Sequence, residues 1–128
     1  MGKISIFIPI GLIGGHFMKQ LNKTPFKDLA NMLVVVADRF FIAKKICDIA
    51  DGDYLAECDY DNQEECRRYL SKVSSAFSSL EENEKNLINN EFFFQGYHNW
   101  WTSIYSKATF YRYKKNAMIK FLGAFYHD

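Results

Sequence analysis

The chain has 128 residues, a net charge of +1, three cysteines, two prolines and seven glycines. That length suits one domain with a modest core. The odd cysteine number, without CxxC spacing, argues against a disulfide framework and for a reducing, cytoplasmic setting. Sparse glycine and proline favour long helices over a many-turned sheet protein. With twelve Phe and eight Tyr, the core should be rich in rings.

Residues 4–15 read ISIFIPIGLIGG, about eleven apolar residues after Lys3. A spanning helix needs roughly twenty, so no membrane segment is expected. Pro9 and Gly14-Gly15 interrupt the run, and no small-x-small cleavage pattern follows. It reads as a buried or strand-like segment, or one that packs on a partner.

Thr24-Pro25 marks a helix start, with a capping hydroxyl, proline at the first helical position and Asp28 in the first turn. The helix is expected over residues 25–50. Phe26, Leu29, Met32, Leu33, Val36, Phe40, Ala43 and Ile46 or Cys47 recur at steps of three and four, forming an apolar stripe. Val34, Val35, Phe41 and Ile42 widen it, so the helix should be central and covered on more than one side. Asp51-Gly52-Asp53 ends it.

Residues 51–65 carry seven acidic side chains and no basic one. Asp51, Asp53, Asp59 and Asp61 do not follow the ligand order of a calcium loop. A solvated acidic connection is expected, turned away from phosphate or toward a basic protein partner. Asn62 with Glu65 makes a capping box for a helix over about residues 63–79, which buries Cys66, Tyr69 or Leu70, Val73, Phe77 and Leu80. Glu81, Glu82 and Glu84 then open a helix to about residue 93, their charge suited to its positive end. Phe92, Phe93 and Phe94 should seal the final segment against the body, and Gln95-Gly96 breaks the helix.

The chain is organised around residues 97–126. Trp100, Trp101 and Ile104 give a short first helix an apolar face. Ser106 stands where an N-cap belongs. Phe110, Tyr113, Ala117, Met118 and Phe121 then form an inward stripe at helical period. Ser106, Lys107, Ala108, Tyr111, Arg112 and Lys115 remain outward at the start of the second helix. Small residues followed by basic ones suit a helix end placed in a DNA major groove. The charge distribution agrees, with +4 over residues 96–128 and −3 over residues 1–95.

The segment from Leu80 to Leu122 resembles the helix-turn-helix of sigma factor region 4, and still more that of small phage late-gene regulators of the ArpU and RinA type. The matching residues are Leu80, Glu84, Leu87 and Ile88, then Trp100, Trp101 and Ile104, then the run SKATFYRYKKNA from Ser106 to Ala117. Lys114 stands where sigma factors often keep an apolar residue. The resemblance implies a helix-turn-helix whose second helix meets DNA.

The expected fold is therefore all-α: a single domain over residues 1–128, a small bundle of about five helices ending in a helix-turn-helix. Residues 24–79 are its helical support and residues 80–126 its sigma region 4-like part. The expected function is DNA-binding regulation of transcription. Ser106 would touch a phosphate, Arg112 a guanine and Lys115 a flanking phosphate, with double-stranded DNA as partner. Five cationic contacts would give a slope of about −4 to −5 in log K against log salt. Binding that weak calls for a second copy or for RNA polymerase, met through the acidic or N-terminal parts. The rival expectation is a protein–protein adaptor of RNA polymerase or a phage component that never touches DNA. There is no GxGxxG, Walker loop or HExxH, and His16, His98 and His127 lack a nucleophile partner, so no enzyme activity and no cofactor are expected. A zinc site from Cys58, Cys66 and His98 lacks closely paired ligands, so no metal is expected either.

Overall fold

The computed structural model describes residues 15–52, 60–94 and 98–127. Residues 4–14 of the apolar run and 53–59 of the acidic run lie outside the described residues. Those described are all-α, with five α-helices and no strand. They are α1 (Gly15–Asn22), α2 (Phe26–Gly52), α3 (Tyr60–Ser78), α4 (Glu82–Ile88) and α5 (Lys107–Tyr126). No helix among them is long and apolar enough to cross a membrane.

The C-terminal helix is the one the others surround. α1, α2, α3 and α4 all pack on α5, and α2 also packs along α3. The last turns of α5 are buried almost all round, through Ile119, Phe121, Leu122, Gly123 and Phe125. Phe93 links this helix to the rest by ring contacts to Phe40 at 5.4 Å, Phe77 at 5.0 Å and Phe121 at 6.0 Å. Pairs of this kind add about 0.5–1.5 kcal/mol beyond the area they bury.

α2 buries Leu29, Leu33, Val36, Ala43 and Cys47, as its period predicts. The residues expected to widen that buried face are not all covered, however. Val34, Phe41 and Ile42 are 47%, 37% and 60% exposed. Two further local expectations are corrected. Thr24 does not cap α2; its hydroxyl donates to the Gln20 carbonyl at 2.8 Å and closes α1, a helix the sequence did not announce. The first helical hydrogen bond of α2 instead runs from the Leu29 N–H to the Pro25 carbonyl. Asn62 lies inside the first turn of α3, which begins at Tyr60, and not ahead of it.

α4 opens on a working box: the Glu84 carboxylate accepts the Glu81 N–H at 2.9 Å. It does not end at Ile88 but runs on as a π-helical turn, Asn89–Phe93, closed by the Phe94 N–H on the Asn89 carbonyl at 2.8 Å. Such wide turns re-aim the side chains they carry. This one buries Phe92 and Phe93 and leaves Phe94 58% exposed, so only two of the three phenylalanines seal the core.

Candidate nucleic-acid interface

The N-terminal half of α5 is positioned by its cap and by two supports on one side. Ser106 is extended, and its hydroxyl accepts the Thr109 N–H at 3.2 Å. The same hydroxyl donates to the Thr109 side chain at 2.9 Å. The N-cap expected from sequence is thus present, and the 20-residue helix starts at Lys107.

The first support is the segment before the cap. Residues 98–104 form consecutive turns, not the short helix expected. The Thr102 N–H donates to Asn99, and the Ile104 and Tyr105 N–H groups both donate to Trp101. The two tryptophans bind this segment to α5: Trp101 lies flat on Phe110 at 4.3 Å, and Trp100 meets the same ring edge-on at 6.0 Å. Ile104, expected on the apolar face, is 62% exposed.

The second support is Lys114. Its ammonium sits 5.6 Å from the Phe26 ring centre, 5.2 Å from Phe92 and 5.9 Å from Phe110. It donates to Glu91 Oε1 at 2.7 Å, with 14% and 16% of the two side chains exposed. Glu91 Oε2 accepts the Trp100 indole N–H, also at 2.7 Å. The π-helical turn thus places one carboxylate where it holds both the turn segment and α5.

The other side of α5 is open. At about 100° per residue, Lys107, Ala108, Tyr111, Arg112 and Lys115 fall within an arc of about 140°. Lys107, Ala108 and Arg112 are exposed, Tyr111 is 41% exposed, and Lys115 is half-buried. The Tyr111 ring is steadied edge-on by Phe26 at 5.6 Å and Trp101 at 6.3 Å. Among the described residues no carboxylate is ion-paired with Lys107, Arg112 or Lys115. The Arg112 guanidinium lies 5.7 Å from the Tyr113 ring centre.

Two of the cations counted from sequence are engaged elsewhere. Lys114 holds Glu91, and Lys120 holds Glu84 at 2.6 Å. Burial raises the Glu84 carboxyl, but the hydrogen bonds from Lys120 and the Glu81 N–H, with the Lys120 charge, together outweigh it and bring it below its usual range; the same Lys120 bond raises Lys120. Tyr113 is 40% exposed and rests edge-on against Tyr105 at 5.3 Å, so it is not part of the inward stripe, though it lies away from the open arc. Asn116, one turn past Arg112, is also exposed and was not singled out from sequence. Its spacing of four from Arg112 was the available signal, and its amide has the donor–acceptor pair that suits adenine.

No protein-family model, curated protein or solved structure matches the chain. The site stands on its own geometry.

Proposed function

We propose that this protein is a DNA-binding regulator of transcription that offers the N-terminal half of α5 to the major groove. One observation carries the proposal: Lys107, Arg112 and Lys115 lie on one open arc of a helix end without a carboxylate partner among the described residues. The flank of the same turns beside Lys107 is locked by Trp101 on Phe110 and by Lys114. A rigid helix end with unpaired cations and a small residue, Ala108, fits a groove that admits one helix.

In this role Ser106 and Lys107 meet a phosphate, Arg112 reads guanine through paired donors to O6 and N7, and Lys115 meets the flanking backbone. Asn116, exposed one turn past Arg112, reads an adjacent adenine in the same role. The helix-turn-helix is of an altered kind, because its first element is a run of turns. Three cationic contacts, not five, give a salt slope of about −3 per copy. Affinity that low calls for a second copy or for delivery by RNA polymerase.

The test is a gel shift on the DNA upstream of the protein's own coding sequence. Wild type should retard it, and Arg112→Ala/Lys115→Ala should not. No retardation by wild type, with or without RNA polymerase, refutes the proposal and leaves the adaptor reading.

A further inference from the structure

Seven large apolar or aromatic side chains stand exposed among the described residues. Ile104, Tyr111 and Tyr113 border the α5 site. The other four, Val34, Phe41, Ile42 and Phe94, form a separate group on the solvent side of α2, where Phe41 meets Phe94 edge-on at 5.6 Å. Along that side Val34, Asp38, Phe41 and Lys45 follow one another at steps of four, three and four. This is the seam spacing of two helices packed side by side.

The two charges in the seam are notable for what they lack. Lys44 and Asp48 pair with each other within α2 at 3.5 Å. Asp38 and Lys45 are exposed and have no ion-pair partner among the described residues.

We propose that this face of α2 is a homodimer interface, with two copies packed antiparallel about a twofold axis passing between Phe41 and Ile42. In that register Asp38 of each copy faces Lys45 of the other, and Phe41 of each faces Ile42 of the other. A twofold contact must be complementary to itself, and this stripe is. A parallel pairing in step would set Asp38 against Asp38 and Lys45 against Lys45. Sliding the antiparallel pair by about one turn would press Asp38 onto the Phe41 ring and leave its charge unanswered. Charge and apolar matching agree only on the register proposed.

The stripe is small beside the roughly 20–30 residues per side of a standard interface, so the dimer is weak and depends on concentration. The inference does not rest on the DNA reading. If both hold, six cationic contacts replace three.

Sedimentation equilibrium of the full chain, from low micromolar to submillimolar concentration, tests the proposal with a charge swap. Wild type should show a monomer–dimer equilibrium. Asp38→Lys and Lys45→Asp each place like charges together twice, and each should weaken dimerisation by about tenfold or more. Mixing the two variants should restore the dimer as a heterodimer, and Asp38→Lys/Lys45→Asp in one chain should restore the homodimer. All these positions are exposed, and Ile42→Lys gives an independent disruption that should likewise yield monomer. A wild type that stays monomeric throughout, single swaps that dimerise like wild type, or a mixture that stays monomeric would each overturn it.

Discussion

Trp101 lies flat on Phe110, with 4.3 Å between ring centres and 5° between planes. This stack joins the turns at 98–104 to the first exposed stretch of α5. Phe110 is 1% exposed, so Phe110→Ala should cost about 3–5 kcal/mol in urea unfolding. Trp101 is only half-buried, and Trp101→Ala should cost about 2–3 kcal/mol. The same variant should speed amide exchange at Ile104 and Tyr105, whose N–H groups donate to the Trp101 carbonyl. Unchanged exchange there would mean that the indole does not hold the segment.

Glu91 and Lys114 make an unequal pair. Removing the carboxylate by Glu91→Ala strands a largely buried ammonium and the Trp100 indole N–H together, at about 2–4 kcal/mol. Lys114→Met keeps the packing on Phe26, Phe92 and Phe110 but strands the Glu91 carboxylate with only its bond from Trp100, so it should cost about 1–3 kcal/mol, less than Glu91→Ala, which strands two donors. Unfolding free energies in the opposite order would contradict this account of the pair.

Much of the architecture could be read from residue patterns, and the exceptions have physical causes. The stripe Leu29, Leu33, Val36 and the cap at Ser106 announced α2 and α5 because burial and capping are local in sequence. The helix at 15–22 was not foreseen; its anchor Leu21 is buried in a core shared with α5, far along the chain. The turns at 98–104 were misread because two tryptophans and an isoleucine suit a helix face equally well; only the Phe110 ring between the indoles decides otherwise. Lys114 and Lys120 were counted among the basic residues available to phosphate. Their carboxylate partners lie 23 and 36 residues away in the chain, where no periodicity reveals them. The π-helical turn that delivers Glu91 leaves no mark in helical spacing.

Stability should fall on both sides of neutrality, by different groups. Burial pushes Tyr69 and Tyr126 up to about 12, against the opposing charge of Arg39. Groups raised in the folded state stabilise fully below their ordinary value and cease to do so as pH climbs through the folded one. Urea midpoints should therefore decline between pH 10 and 12, and Tyr126→Phe should flatten the decline. Glu84, lowered chiefly by Lys120 against the effect of burial, acts oppositely: its contribution is present above its ordinary value of 4.5 and lost as pH falls below it. Glu84→Gln should flatten that acid limb.

The cap is testable by itself. Ser106→Ala removes the acceptor of the Thr109 N–H and should cost about 1 kcal/mol, with Ser106→Gly closer to neutral. If Ser106 serves only as a cap, both variants keep their DNA affinity once fully folded. A loss of affinity without unfolding assigns the hydroxyl to a phosphate.

The salt dependence of DNA binding weighs the open face of α5 most directly. Fluorescence anisotropy on a labelled duplex from the protein's own upstream region gives log K against log salt. The account predicts a slope of about −3 per copy for wild type, falling to about −1 for Arg112→Ala/Lys115→Ala. Lys120→Ala should leave the slope unchanged, because its ammonium is held by Glu84. No binding by wild type, or a slope indifferent to Arg112 and Lys115, would contradict it.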